Sequence, residues 1–137
     1  MKRYMHFLLL LLPLMAFSGI LTGSVQMRFF KIDEEGSDLI VSWQTDQEVE
    51  VREFELQRMT RFTNNQFVKI QSIEPHGVSK PYIYRDDQVF KASSEQVDYR
   101  LEVIYSNGVR EQLAREQINY TSTAIRRTWG SIKAMFQ

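Results

Sequence analysis

The sequence contains no cysteine. That excludes disulfides, thiolate catalysis and cysteine-ligated metals. Small exported domains commonly use disulfides to offset a small core. A chain without them must rely on packing, which roughly 100 residues can supply. Histidine is nearly as scarce, with only His6 and His76. A histidine-based metal centre or a Ser-His-Asp arrangement therefore has little to be built from. Proline and glycine are few and no internal repeat is present, so the chain is not collagen-like or low-complexity. Neither sign of charge dominates: 17 basic residues face 17 acidic ones. Such a balance lacks the electrostatic footprint of a nucleic-acid binder.

What is present reads as an ordinary globular protein. A length of 137 residues fits one domain. Hydrophobic residues make up 43% and charged residues 25%, well away from the composition of a disordered chain.

The N-terminus has a different character. Lys2 and Arg3 precede an apolar run from Phe7 to Phe17, and Ser18, Gly19, Thr22, Gly23 and Ser24 follow. This order is that of a secretory signal peptide, predicted over residues 1–24 with cleavage after Ser18 or Ser24. Without cysteine there is no lipid-attachment site. The competing reading is a retained anchor, since Phe7 to Val25 is an uncharged stretch of 19 residues, close to a bilayer span. Pro13 and the late glycines and serines weigh against it. Lys2 and Arg3 are the only charges before Arg28, so the mature chain carries a net charge of −2.

From Val25 onward the pattern has the period of two that marks half-buried strands. The first segment is Val25 to Ile32, ended by a polar turn at Asp33–Ser37. In the second, Asp38 to Thr45, Leu39, Val41 and Trp43 alternate with Ile40, Ser42 and Gln44. Asp46 to Glu50 reads as an acidic connection. The third, Val51 to Met59, sets Phe54 and Leu56 against Glu53, Glu55 and Gln57. Asn64 and Asn65 mark a turn before the fourth, Phe67 to Ile73. The fifth, Pro81 to Asp86, alternates through Tyr82 and Tyr84. A long polar loop leads to the sixth, Val97 to Tyr105, with Tyr99, Leu101 and Val103 on one face. Asn107-Gly108 then predicts a type I′ hairpin into a seventh strand starting at Val109. Seven short strands with regular turn signals indicate an all-β antiparallel sandwich over residues 25–120.

The series Leu39-Ile-Val-Ser-Trp43-Gln-Thr45, Glu48, Phe54-Glu-Leu-Gln-Arg58, Phe67-Val-Lys-Ile70, Tyr82-Ile-Tyr84-Arg-Asp86 and Tyr99 to Gly108 resembles a fibronectin type III domain. The divergent kind found in secreted bacterial surface proteins is the nearest in pattern, and the resemblance covers residues 27–120. It implies an immunoglobulin-like sandwich used for adhesion, spacing or protein binding, with no chemistry of its own. The Arg-Gly-Asp triplet of some family members is absent.

Candidate sites are few, and no catalytic, cofactor or metal residue is expected. His76, in a Pro-His-Gly turn, reads as a solvated turn residue. Asp33, Glu34, Glu35 and Asp38 cluster, as do Asp86 and Asp87, but no calcium-loop spacing is present and solvated turns are the expectation. Arg58, Arg61 and Arg100 with Phe62 and Tyr99 suggest a basic-aromatic surface. The net charge argues against it, and Arg58 and Arg100 read better as strand residues paired with neighbouring glutamates. Asn119-Tyr120-Thr121 is a glycosylation sequon, relevant only in a eukaryotic secretory pathway.

Residues 121–137 read differently again. Ile125, Trp129, Ile132 and Phe136 fall on one stripe at helical spacing, bordered by Arg126 and Lys133. A short C-terminal amphipathic helix is predicted, capped by Ser122 or Thr123. Its stripe packs on the sandwich or docks on a protein partner or an anionic membrane surface. The resulting expectation is a non-catalytic exported module acting by protein–protein contact in the cell envelope, periplasm or outside the cell. The alternatives are a carbohydrate-binding or accessory domain of a secreted enzyme system, and a membrane-anchored structural protein.

Overall fold

The computed structural model describes residues 22–89, 96–120 and 133–136. Seven strands form in the expected order: β1 (Ser24–Glu35), β2 (Asp38–Val49), β3 (Val51–Met59), β4 (Val68–Ile73), β5 (Tyr82–Asp86), β6 (Gln96–Tyr105) and β7 (Arg110–Asn119). They make two antiparallel sheets, one ordered β1-β2-β5 and the other β4-β3-β6-β7. The sheets pack face to face as a β-sandwich. Alternation places Leu39, Val41 and Trp43 of β2 inward, and Phe54 and Leu56 of β3, and Val97, Tyr99, Leu101 and Val103 of β6 meet them in one core. Trp43 and Tyr99 share that core and both are fully buried.

β1 and β2 run further than the sequence pattern suggests. β1 continues through Asp33 to Glu35, and β2 through the acidic stretch to Val49. The expected acidic connection is therefore mostly strand. Each strand carries one extra residue, Arg28 on β1 and Asp46 on β2, and these two bulge residues are ion-paired at 2.6 Å. Polar residues can extend a strand whose outer face meets water, since the backbone ladder does not require apolar side chains. The turn narrows to Gly36-Ser37, with Gly36 at φ 65° in the first central position, where a two-residue hairpin of type II′ takes glycine.

The chain passes from one sheet to the other at Glu50, the single residue between β2 and β3, which adopts φ 54°. The backbone N–H and the hydroxyl of Ser106 both donate to its carbonyl, at 2.8 and 3.2 Å, tying this crossover to the β6–β7 turn. That turn is not type I′, because Asn107 is not left-handed. Gly108 alone is, at φ 85°, and its N–H donates to the Tyr105 carbonyl at 2.8 Å. Ser106, Asn107 and Gly108 thus form a three-residue loop with glycine at the left-handed position, the next commonest hairpin solution. At the other end, the Tyr120 hydroxyl donates to the Ser37 carbonyl at 2.6 Å and pins the end of β7 to the β1–β2 turn. Near the start of the described chain, a Cβ at Gly23 would overlap the Tyr105 ring, so glycine permits this close approach.

Candidate functional site

Three polar assemblies stand out once the core is set aside. The first lies inside the sandwich. Arg58, Asp86 and Tyr99 follow the inward phase of β3, β5 and β6, and their side chains meet between the sheets. Arg58 Nη1 donates to both Asp86 oxygens, at 2.8 and 2.6 Å, and the Tyr99 hydroxyl donates to Oδ2 at 2.7 Å. Asp86 also accepts from the Gln88 backbone N–H at 3.1 Å. The Asp86 side chain is 1% exposed. Burial raises the Tyr99 phenol far above its ordinary range, and the Asp86 charge adds to the effect. Arg58 is therefore paired with Asp86 across the core and not with a neighbouring glutamate. Asp86 is a buried acceptor and not a solvated turn residue. This mostly buried ion pair holds β5 to the opposite sheet, although Arg58 Nε is buried without a hydrogen-bond partner.

The second assembly closes one end of the sandwich. Glu48, at the end of β2, accepts from Thr45 Oγ1 (2.7 Å), the Tyr82 hydroxyl (2.8 Å) and the Gly77 backbone N–H (3.1 Å). The His76 backbone N–H donates to the Tyr82 oxygen at 2.8 Å. The His76 ring stacks on Tyr82 at 3.7 Å, and Tyr82 stacks on Trp43 at 5.1 Å, with Phe54 edge-on to both. His76 is exposed, as a turn residue should be, yet its ring covers the core. Burial pushes the Tyr82 hydroxyl up to about 12, with Glu48 adding to the shift. The acidic residues of the β1–β2 hairpin are likewise paired: Asp33 with Lys31, and Glu35 and Asp38 with Arg85. Among the described residues no three His, Cys, Asp or Glu side chains gather into a metal-ligating group.

The third assembly is on the outside, in the β3–β4 connection. A 3₁₀ turn spans Arg61–Thr63 and is closed by a capping box. The Phe62 N–H donates to Thr60 Oγ1 at 3.2 Å, and the Thr60 N–H to Thr63 Oγ1 at 3.1 Å. The Thr63 hydroxyl donates onward to the Gln66 carbonyl at 2.6 Å. Asn64 and Asn65 then adopt left-handed backbone, φ 54° and 57°, which asparagine tolerates better than most residues. The loop is thus fixed by its own hydrogen bonds, and it presents the Phe62 ring 58% exposed with the Arg61 guanidinium 4.9 Å from its centroid. Nearby in sequence, Phe67 is held at the sheet surface by Arg100 (4.1 Å) and Arg115 (5.2 Å). Arg100 also contacts Glu102 at 3.4 Å, the glutamate pairing expected of it, and donates to Gln57 Oε1 at 2.6 Å.

The basic-aromatic set suggested by the sequence is therefore divided. Arg58 and Tyr99 are interior, while Arg61, Phe62 and Arg100 reach the surface. Of the C-terminal stripe, Ile125, Arg126, Trp129 and Ile132 lie outside the described residues, as does nearly all of the N-terminal segment. Lys133 and Phe136 are described: residues 133–135 are helical, and Phe136 is 88% exposed. The sequence pattern assigns Asp86 to a solvated turn and gives Phe62 no role, and the structure corrects the first and places the second on an exposed loop. Asp86 shares the inward phase of Tyr82 and Tyr84, and that alternation was the available signal. Phe62 lies in a stretch with no period, where only the Thr60/Thr63 spacing and the paired asparagines hint at a rigid loop.

No family model matches the chain, and no curated protein matches it. Among solved structures, the fold is similar to part of a catalytically inactive OgpA from Akkermansia muciniphila in complex with an O-glycopeptide (glycodrosocin) substrate. The TM-score is 0.53 at 14% sequence identity, covering 77% of this chain and 30% of that one. At this identity the likeness concerns the fold alone.

Proposed function

We propose that this protein is an exported, non-catalytic β-sandwich of the fibronectin type III kind that acts by protein–protein contact, with the Phe62 loop as the contact. The observation that carries the reading is an exposed aromatic ring on a loop that the chain has already fixed. Aromatic and arginine side chains dominate interface energetics, and a preorganised loop spends little ordering entropy on binding. Phe62 beside Arg61 meets both conditions.

The sheet edges are poorer candidates. β1, β4 and β7 each carry an extra residue, Arg28, Ile70 and Leu113 respectively, and β5 is five residues long and preceded by Pro81. Bulges and short strands are the devices that keep edges from adding a foreign strand. The buried Arg58–Asp86–Tyr99 and Glu48–Tyr82 assemblies read as scaffold, since their carboxylates and hydroxyls are spent on partners within the sandwich. The strand order β1-β2-β5 and β4-β3-β6-β7, with Trp43 on the second strand and Tyr99 on the sixth, supports the fibronectin-type assignment. Export rests on the N-terminal Lys2-Arg3 and apolar run. Contact with a partner or an anionic membrane through Ile125, Arg126, Trp129, Ile132, Lys133 and Phe136 is a second proposed contribution, and the exposure of Phe136 favours it.

An accessory domain of a secreted enzyme system is the second reading. A similar fold forms part of a longer chain whose structure contains an O-glycopeptide, and that is its support. Recovery of partners from envelope extract separates the contributions. Wild type, Phe62→Asp and a chain lacking residues 123–137 are compared at matched stability. Loss of recovery only in the truncated chain would reject the loop as the contact.

A further inference from the structure

The structure assigns Asn107 as a latent deamidation site that the folded β6–β7 hairpin holds in check. Asn-Gly is the dipeptide in which a side-chain amide is most open to attack by the next backbone nitrogen, because glycine has no Cβ to hinder the approach. Asn107 and Gly108 are both exposed at the hairpin tip, where water and hydroxide reach them. In the reaction, the Gly108 amide loses its proton to hydroxide and its nitrogen attacks Asn107 Cγ. The new C–N bond closes a five-membered imide, and the Cγ–Nδ2 bond breaks as ammonia leaves with a proton from water. Water then opens the imide. Cleavage at Cγ leaves an aspartyl residue in an unaltered backbone; cleavage at the main-chain carbonyl leaves an isoaspartyl linkage with Cβ inserted into the chain.

Two hydrogen bonds oppose the first step. The Gly108 N–H donates to the Tyr105 carbonyl at 2.8 Å, which binds the proton that must leave and holds this peptide unit in the turn. Asn107 Oδ1 accepts from the Val109 N–H at 3.0 Å, which holds the amide group over Val109. Ser106 anchors the same turn to Glu50 through two further bonds. The tip must therefore open before the imide can form. The two products then differ in consequence. The aspartyl form keeps an acceptor for the Val109 N–H and adds one negative charge. The isoaspartyl form lengthens a loop whose three-residue geometry depends on its backbone count, so the Ser106–Glu50 anchor between the two sheets would loosen.

The test is peptide mapping of the full chain after incubation at mildly alkaline pH, in native buffer and in denaturing urea at the same pH. Conversion at position 107 should be slower in native buffer by roughly tenfold or more, because it waits on local opening. Ser106→Ala, which removes the side-chain bond to Glu50, should speed the native reaction and leave the urea rate unchanged. Equal native and urea rates would overturn the proposal, as would the absence of conversion in urea.

Discussion

Replacing Asp86 by alanine should destabilise the protein by about 4 kcal/mol. Asp86 is the shared acceptor for Arg58, the Tyr99 hydroxyl and the Gln88 N–H. Its removal leaves the Arg58 guanidinium, with a side chain 15% exposed, without its carboxylate, and leaves the fully buried Tyr99 hydroxyl without an acceptor. Breaking a buried pair by deleting one partner costs about 3–5 kcal/mol. An orphaned buried hydroxyl costs about 1–3 kcal/mol. The two overlap, because a single relaxation, or entry of water, relieves both. A total near 4 kcal/mol is a large part of the ~5–15 kcal/mol that a domain of this size has available. Urea unfolding followed by circular dichroism reads the change in midpoint at constant slope. Arg58→Met and Asp86→Leu combined with Tyr99→Phe should recover most of the loss, since apolar replacement removes the uncompensated charge and the orphaned hydroxyl together. A loss below about 1 kcal/mol in Asp86→Ala would refute the claim that this pair is sealed from solvent.

Three other outcomes follow from the same structure. Trp43→Ala should cost ~3–5 kcal/mol, because the ring stacks on Tyr82 and lies fully within the core; an unchanged denaturant midpoint would contradict its placement. The Tyr82 hydroxyl sits above its ordinary value of 10.0, at about 12, so the fold favours the neutral phenol. The associated stability is fully present below pH 10.0 and is lost as pH rises towards about 12, and Tyr82→Phe should flatten that decline in a pH series of thermal midpoints. Phe62→Ala should leave stability within about 0.5 kcal/mol of wild type, since the ring is exposed and the loop is held by Thr60 and Thr63; a larger loss would show that the ring is part of the fold.

The central strands were legible because alternation survives in β2, β3, β5 and β6. Leu39-Val41-Trp43 and Tyr99-Leu101-Val103 declare their buried face without help from the tertiary structure. The ends of β1 and β2 were not legible, because Asp33 to Glu35 and Asp46 to Val49 look like turns. The Arg28–Asp46 bulge pair in this hairpin spans 18 positions, a contact that local pattern does not display. The β6–β7 turn was placed correctly, but its type depends on whether one or two residues turn left-handed, and the pair Asn-Gly suits both. Asp86 was misread because an acidic pair before a polar loop resembles a solvated turn. Its partner Arg58 lies 28 residues away on another strand, a pairing that only the sandwich brings about. Phe62 was seen but given no role, since exposure on a loop has no periodic signature.

The central claim is that a fixed loop offers Phe62 as the contact surface of a non-catalytic sandwich. Site-specific photocrosslinking at position 62 of the full chain, in its native compartment, tests it most directly. The account predicts one dominant protein adduct that excess unlabelled wild type suppresses and excess Phe62→Ala does not. A probe at exposed Val78, outside the loop, should not form that adduct. Equal suppression by both competitors, or the same adduct from Val78, would contradict it.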